Sequence, residues 1–145
     1  MGIHICCNDF NYYSSSSKWN AIKYDIFFYC LYYIKTNNII SNDNDIEYDI
    51  NVRLNSKSNY ILNKWCNELI NKYYTIFEKL KITGIIILIN KKDCDDYYSV
   101  DDSSDILNML RIIYNTLLYP DKTIVDKLML IFTTSVQQSV IVNIE

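Results

Sequence analysis

The stretch that most constrains this chain is Gly84 to Asp93, G-I-I-I-L-I-N-K-K-D, where large apolar residues from Ile85 to Ile89 run directly into a polar tetrapeptide. A short, largely β-branched run reads as a strand buried on both faces, of the kind found inside a parallel sheet. The tetrapeptide Asn90 to Asp93 then falls at the carboxyl end of that strand, where open α/β sheets bind their ligands. At 145 residues the chain suits one domain with one core.

The flanking pattern extends this reading. A helix is expected from Tyr60 to Leu80, because Trp65, Leu69, Tyr73, Ile76, Phe77 and Leu80 recur at three- and four-residue spacing. Lys64, Asn67, Glu68, Asn71 and Lys72 fill its other face. Ser58 or Asn59 caps it, its apolar stripe packs on a sheet, and Gly84 stops it. After an acidic loop, Cys94 to Asp102, Ser103 or Ser104 caps a second helix that buries Ile106, Leu107, Leu110, Ile113, Tyr114, Leu117 and Leu118. Pro120 ends or interrupts that helix. Past the segment Asp121 to Lys127, Leu128 to Phe132 reads as a second buried strand, terminated by Thr133, Thr134 and Ser135. Val136 to Glu145 starts a further helix. Helix, strand, helix, strand in this order is an α/β pattern built on a parallel sheet.

The first 57 residues form a segment of uncertain structure ahead of the 58–145 unit. Met1 to Ser17 shows no regular pattern. Asn20 to Ile40 is apolar without a clean period, and its residues do not decide between helix and strand. Ser41 to Asp45 is a polar break, Ile46 to Asn51 reads as a short strand, and Asn55 to Lys57 as a turn. The start M-G-I-H-I-C-C carries Gly2 behind Met1, as N-myristoylation requires, followed by Cys6 and Cys7 as palmitoylation candidates. The motif prefers Ser or Thr where this chain has Cys6, so the segment reads either as a partial match that would allow peripheral association with a cytoplasmic membrane face or as an arbitrary start.

Composition excludes several classes. A net charge of −3 gives no electrostatic case for nucleic acid. Cys6, Cys7, Cys30, Cys66 and Cys94 are odd in number and form no C-x-x-C pair, which suits reduced thiols in an intracellular, cytoplasmic protein. A single histidine, His4, argues against a zinc site, since such sites combine several Cys and His at tight spacing. No stretch approaches the roughly 18 apolar residues of a membrane span.

Residues 58–145 resemble the C-terminal half of a Ras-like small GTPase, the Rab branch most closely. Tyr48-Asp49, Ser58-Asn59, and Trp65 with Glu68 follow the order of that family's Tyr-Asp motif, Ser-Phe dipeptide and Trp-bearing helix. Ile85 to Asp93 matches its strand and N-K-x-D guanine motif. Thr134, Ser135, Val136 and Gln137, with Val142 and Asn143 beyond, are similar to its last nucleotide loop. The resemblance implies a partial P-loop NTPase-type sheet flanked by helices, GTP or GDP as ligand, and protein partners in vesicle trafficking. It also implies roles. Asp93 accepts from the guanine N1–H and exocyclic amine, Asn90 braces the loop, and the stem of Lys91 covers the base. The Val136 amide, beside Ser135, donates to the base oxygen, and Gln137 stands where the family has a lysine.

The departures are equally specific. The only glycines are Gly2 and Gly84, so neither a G-x-x-x-x-G-K-[ST] phosphate loop nor a D-x-x-G motif exists in this chain. Without them nothing recognisable holds Mg²⁺ or the β- and γ-phosphates. The expectation is a Rab-like protein that does not hydrolyse GTP and has no catalytic residues. The alternative is a non-catalytic protein-interaction module, either a pseudo-GTPase or a mostly helical binding protein whose apolar runs are buried helices.

Overall fold

The computed structural model describes residues 2–37, 43–55, 58–91 and 96–145. A β-hairpin opens it, with β1 (Gly2–Cys7) and β2 (Phe10–Ser15), followed by a long helix α1 (Ser16–Thr36). Three further helices follow: α2 (Asp43–Asn55), α3 (Asn59–Lys79) and the short α4 (Gly84–Asn90). Then come β3 (Asp96–Tyr98), α5 (Val100–Ile113), a 3-10 turn at Tyr114–Thr116, α6 (Asp121–Gln138) and β4 (Val142–Ile144). The four strands form one antiparallel sheet in the order β2-β1-β4-β3. This corrects the expected fold class: the protein is mostly helical with a small antiparallel sheet, and the parallel sheet inferred from the apolar runs does not form.

Both inferred buried strands are helical. Ile85 to Ile89 lie in α4, with Ile85 and Leu88 buried and Ile86, Ile87 and Ile89 partly so. Leu128 to Phe132 lie within α6, which continues without a break through Thr133, Thr134, Ser135, Val136 and Gln137. A short apolar run has no periodicity of its own, and its neighbours decide whether it coils or extends. For Leu128 to Phe132 they decide for helix: Val125, Leu128, Ile131, Phe132 and Ser135 repeat at three- and four-residue spacing on the buried side. The chain after Ser139 turns into β4, not into a further helix. The short strand inferred at Ile46 to Asn51 is also helix, and Asn55, inferred as part of a turn, is the last residue of α2. Its I-E-Y-D-I alternation suggested a strand, yet Ile46 and Ile50 sit one helical turn apart and both are buried.

Asn20 to Thr36 fall in α1, which decides for helix over most of the segment whose period was ambiguous, Asn20 to Ile40; its residues 38–40 lie outside the described residues. Trp19, Ile22, Tyr24, Ile26, Phe27, Cys30, Leu31 and Ile34 are all buried. A helix covered on most of its circumference shows no one-sided stripe, which is why the period was unreadable. The helix expected at Tyr60 to Leu80 is α3, and the Ser58 hydroxyl caps it by accepting the Ile61 N–H. Its stripe packs on helices, not on a sheet: Trp65 and Phe77 close edge-on around Phe27 of α1.

Lys81, not Gly84, stops α3. The Ile82 N–H donates to Phe77 O and the Lys81 N–H to Glu78 O, with Lys81 at a left-handed φ of 61°. That is a Schellman closure carrying lysine where glycine is usual. Gly84 serves a different end. A Cβ there would stand 2.3 Å from Asp105 O and 2.8 Å from Ile106 Cα, so the missing side chain lets α4 press against α5. The inferred acidic loop also shortens, since α5 begins at Val100. Its cap is Ser99, and Ser99 and Asp102 exchange side-chain-to-backbone bonds as a capping box. Ser103 and Ser104, the two inferred caps, both lie inside the helix, Ser103 buried.

Tyr29 of α1 donates its hydroxyl to Asp121 at the start of α6 at 3.0 Å, and burial together with that carboxylate pushes its phenol up to about 12. The raised value means the folded state holds the proton more tightly than the unfolded chain. This stabilising contribution is therefore complete below the ordinary value near 10, and is lost as pH rises through about 12. Tyr29→Phe should flatten the alkaline fall in stability between those limits, as read from urea midpoints across pH. An unchanged slope would refute the assignment. The two backbone positions should respond oppositely in the same assay. Gly84→Ala should cost about 1–3 kcal/mol by overpacking, and Lys81→Gly should gain about 0.5–1 kcal/mol by relieving the left-handed φ.

Candidate functional site

The two segments inferred as guanine loops do not converge on a sheet rim. Asn90 ends α4 and Lys91 follows it, while Asp93 lies outside the described residues. Ser135 is fully buried, its hydroxyl bonded to Ser103 at 2.9 Å and donating to the Val140 carbonyl. The amide of Val136 belongs to the interior of α6, where the helix itself uses it. Gln137 stands one residue before the end of that helix. The parallel-sheet geometry on which the base contacts depended is thus replaced.

Asn90 and Lys91 nevertheless line a cleft of about 370 Å³ between α1, α3 and α4, with Asn20, Lys23, Tyr24, Asn63 and Ile89. The Lys91 ammonium is engaged within the chain, 3.5 Å from Asp102 and over the Tyr97 ring. Lys23 is buried and its ammonium lies over the Trp19 ring. Among the described residues the lining offers amides, two ammonium groups and a phenol, with no carboxylate, thiol or imidazole to act as a general base near neutral pH.

A second surface lies between α2 and α3. Tyr48 is 72 % exposed, Tyr60 80 % and Ile61 48 %. Tyr48 and Ile61 flank a cleft of about 210 Å³ whose wall includes Val52, Trp65 and Leu69, with Lys64 and Glu68 at its margin. Tyr60, Lys64 and Glu68 continue into an adjoining shallow depression. Beneath it, Asp49 is buried. Its carboxylate accepts from the Tyr73 hydroxyl at 2.6 Å and the Lys72 ammonium at 2.9 Å, and its carbonyl accepts the Trp65 indole N–H at 2.7 Å. Tyr48-Asp49 and Trp65, drawn into the family resemblance as sequence motifs, meet in space as a structural clamp.

The third place is the open face of the sheet. In β1, Ile3, Ile5 and Cys7 point into the core, while His4 and Cys6 point outward. The segment expected to lack a regular pattern holds β1 and β2, and the I-H-I-C alternation is a local signal of the first; His4, Cys6 and Glu145 could not be grouped from sequence, being up to 141 positions apart. His4 stacks on Tyr13 with ring centroids 4.2 Å apart, and its ring nitrogens face Asn11 and Glu145. Of the inferred lipidation positions, Gly2 begins β1, Cys7 is buried against the helices, and Cys6 alone of the two cysteines faces outward.

Burial raises every perturbed thiol. Cys66 is pushed up to about 12 and Cys30, fully enclosed, higher still. Cys7 is raised by burial, then by Cys6. Cys6 is raised by partial burial and by the Glu145 carboxylate. In a Cys94→Ser background at about pH 8, one thiol, Cys6, should react with Ellman's reagent in the native protein, at a rate slowed by its raised value, and the other three only on unfolding. Two or more thiols reacting at one rate in native protein would contradict this arrangement.

Comparison with family models, with curated proteins and with solved structures finds no match to this chain. No described helix is long and apolar enough to cross a membrane.

Proposed function

We propose that this chain is a non-catalytic protein-interaction module of helical architecture, binding a partner through the α2–α3 face. The observation that carries the reading is the exposure of Tyr48, Tyr60 and Ile61 on one surface, around a cleft walled by Trp65 and Leu69. Tyrosine gives large contact area at small entropic cost, and interfaces are enriched in it. A partner side chain of apolar character fits the cleft, with Lys64 and Glu68 supplying a charged rim. The alternative, a guanine-nucleotide protein of the Rab kind, keeps Asn90 and Lys91 at the mouth of a polar cleft but has no glycine-built phosphate cradle. The protein works, on this reading, in a reducing compartment inside the cell, where its buried thiols need no partner.

The test compares photoreactive residues placed at Tyr48, Tyr60 and, as control, exposed Leu130 of α6, in cells that produce the protein. A discrete adduct from the first two positions, absent from the third and lost with Ile61→Asp, supports the reading. Equal labelling from all three, or none from Tyr48 and Tyr60, refutes it. Titration of fluorescent GDP separates the alternative. The expected affinity is weaker than tens of micromolar, about 6 kcal/mol of binding free energy. Nanomolar binding would restore the nucleotide reading.

A further inference from the structure

His4 and Glu145 sit directly opposite each other where β1 meets the end of β4, exchanging both backbone hydrogen bonds at 2.9 and 2.8 Å. Directly paired residues of an antiparallel ladder project from the same face. Cys6, two residues along β1, projects from that face as well. One imidazole nitrogen, the Cys6 sulfur and a Glu145 carboxylate oxygen thereby lie within 4.8 Å of one another.

The surroundings fix which nitrogen is presented. The Asn11 amide nitrogen donates to the Asp9 carbonyl at 3.2 Å, which turns its oxygen toward His4 Nε2 at 2.8 Å. Nε2 therefore carries the hydrogen and donates it. In the neutral ring, Nδ1 then holds a lone pair aimed at Glu145 Oε2, 3.2 Å away. Two acceptors at that distance repel unless a positive charge lies between them, and either a proton or a metal cation can fill that role. Stacking of the ring on Tyr13 holds the orientation. An imidazole aimed by a hydrogen bond through its far nitrogen is the arrangement that supports metal-bound histidines.

We propose that His4 Nδ1, Cys6 Sγ and the Glu145 carboxylate bind a Zn²⁺ ion on the open face of the sheet, with a fourth position left to water. The donor set of one imidazole, one thiolate and one carboxylate suits a borderline divalent ion and excludes Mg²⁺ and Ca²⁺, which take oxygen ligands. Tetrahedral zinc with ordinary bond lengths separates its ligand atoms by about 3.3–3.7 Å. The His4–Glu145 pair already stands at 3.2 Å, so closure requires the Cys6 sulfur to swing inward. Binding releases the thiol proton to solvent and forms a zinc–sulfur bond, with no redox change. The single histidine that argued against zinc in the sequence is thus supplemented across the sheet by a residue 141 positions away.

The ion would tie the first strand to the last. Only Ile5↔Ile144 and Cys6↔Asn143, with the His4–Glu145 exchange, join β1 to β4 in the described ladder. Zinc binding should therefore appear in folding stability as well as in spectroscopy.

The experiment titrates Co²⁺ into the reduced, tag-free chain of 145 residues, then displaces it with Zn²⁺, and repeats both with Cys6→Ser, His4→Ala and Glu145→Gln. Expected are one equivalent of Co²⁺, a thiolate-to-cobalt charge-transfer band that Cys6→Ser abolishes, and binding in the other two variants weaker by at least the roughly 10–100-fold that loss of a supporting residue costs. Zn²⁺ should raise the melting temperature of the unaltered protein, and Mg²⁺ should not. Circular dichroism establishes that each variant is folded. If His4→Ala fails to fold, the conservative Cys6→Ser and Glu145→Gln carry the comparison. Failure to take up Co²⁺ or Zn²⁺ more tightly than about 100 µM overturns the proposal, as does uptake that all three substitutions leave unchanged.

Discussion

Phe27 on the central helix lies edge-on to Trp65 and to Phe77, with ring centroids 5.1 and 5.9 Å apart, and all three rings are buried. Edge-on aromatic contacts favour defined angles, so three large rings fix how α3 lies against α1. The same helix presents Trp19 to Tyr12 of the hairpin, and Tyr29 to the start of α6. It touches α2, α3, α4, α5 and both hairpin strands. The remaining helices and the sheet are laid around it, and the side chains it leaves exposed, such as Tyr32, lie at the margin.

That arrangement explains which parts of the fold were legible in the sequence. α3 has one buried side, so Leu62, Trp65, Leu69, Tyr73 and Phe77 spell out its period, and its extent can be read to within a residue. α1 is buried on most sides, which erases the period. α4 and the middle of α6 fail for a different reason. Ile85 to Ile89 and Leu128 to Phe132 are apolar at every position, so neither run carries a phase of its own, and in the first the four isoleucines weigh the choice toward strand. Tertiary packing overrides that preference: α4 must lie close on α5, and Gly84 permits it. The hairpin carried a usable signal in the alternation of Ile3, Ile5 and Cys7 and in the two-residue loop Asn8-Asp9, where Asn8 takes a φ of 53°.

The sites divide the same way. The resemblance to small GTPases drew together Asn90, Lys91, Asp93, Ser135, Val136 and Gln137 on the premise of two strands ending at one rim. Once those strands are helices, Ser135 becomes a buried link between α6 and α5, and Lys91 an ion-pair partner of the α5 capping residue Asp102. The His4 cluster was invisible for the opposite reason. Its members are brought together by an antiparallel register joining the first strand to the last, and register across such a separation has no local signature.

The α2–α3 face illustrates how polar groups can give a surface its shape. α2 has few apolar residues, and among those whose burial is described Ile46 and Ile50 are deeply buried. Charged groups supplement them: two guanidinium N–H groups of Arg53 donate to Asp25 of α1, and Lys35 pairs with Glu47 at 2.6 Å. Burial raises the Asp25 carboxyl and Arg53 opposes the rise, so the pair is held at some desolvation cost. Asp49 adds the inward anchor through Tyr73, Lys72 and Trp65. A helix pinned by directional bonds has a fixed rotation about its axis, which an apolar stripe alone would leave looser. With Asp49 facing inward, its neighbour Tyr48 points to solvent, beside Ile61 at the cleft. The surface is thereby preorganised, and a partner docking there would meet tyrosines whose backbone is already ordered, reducing the entropy lost on association.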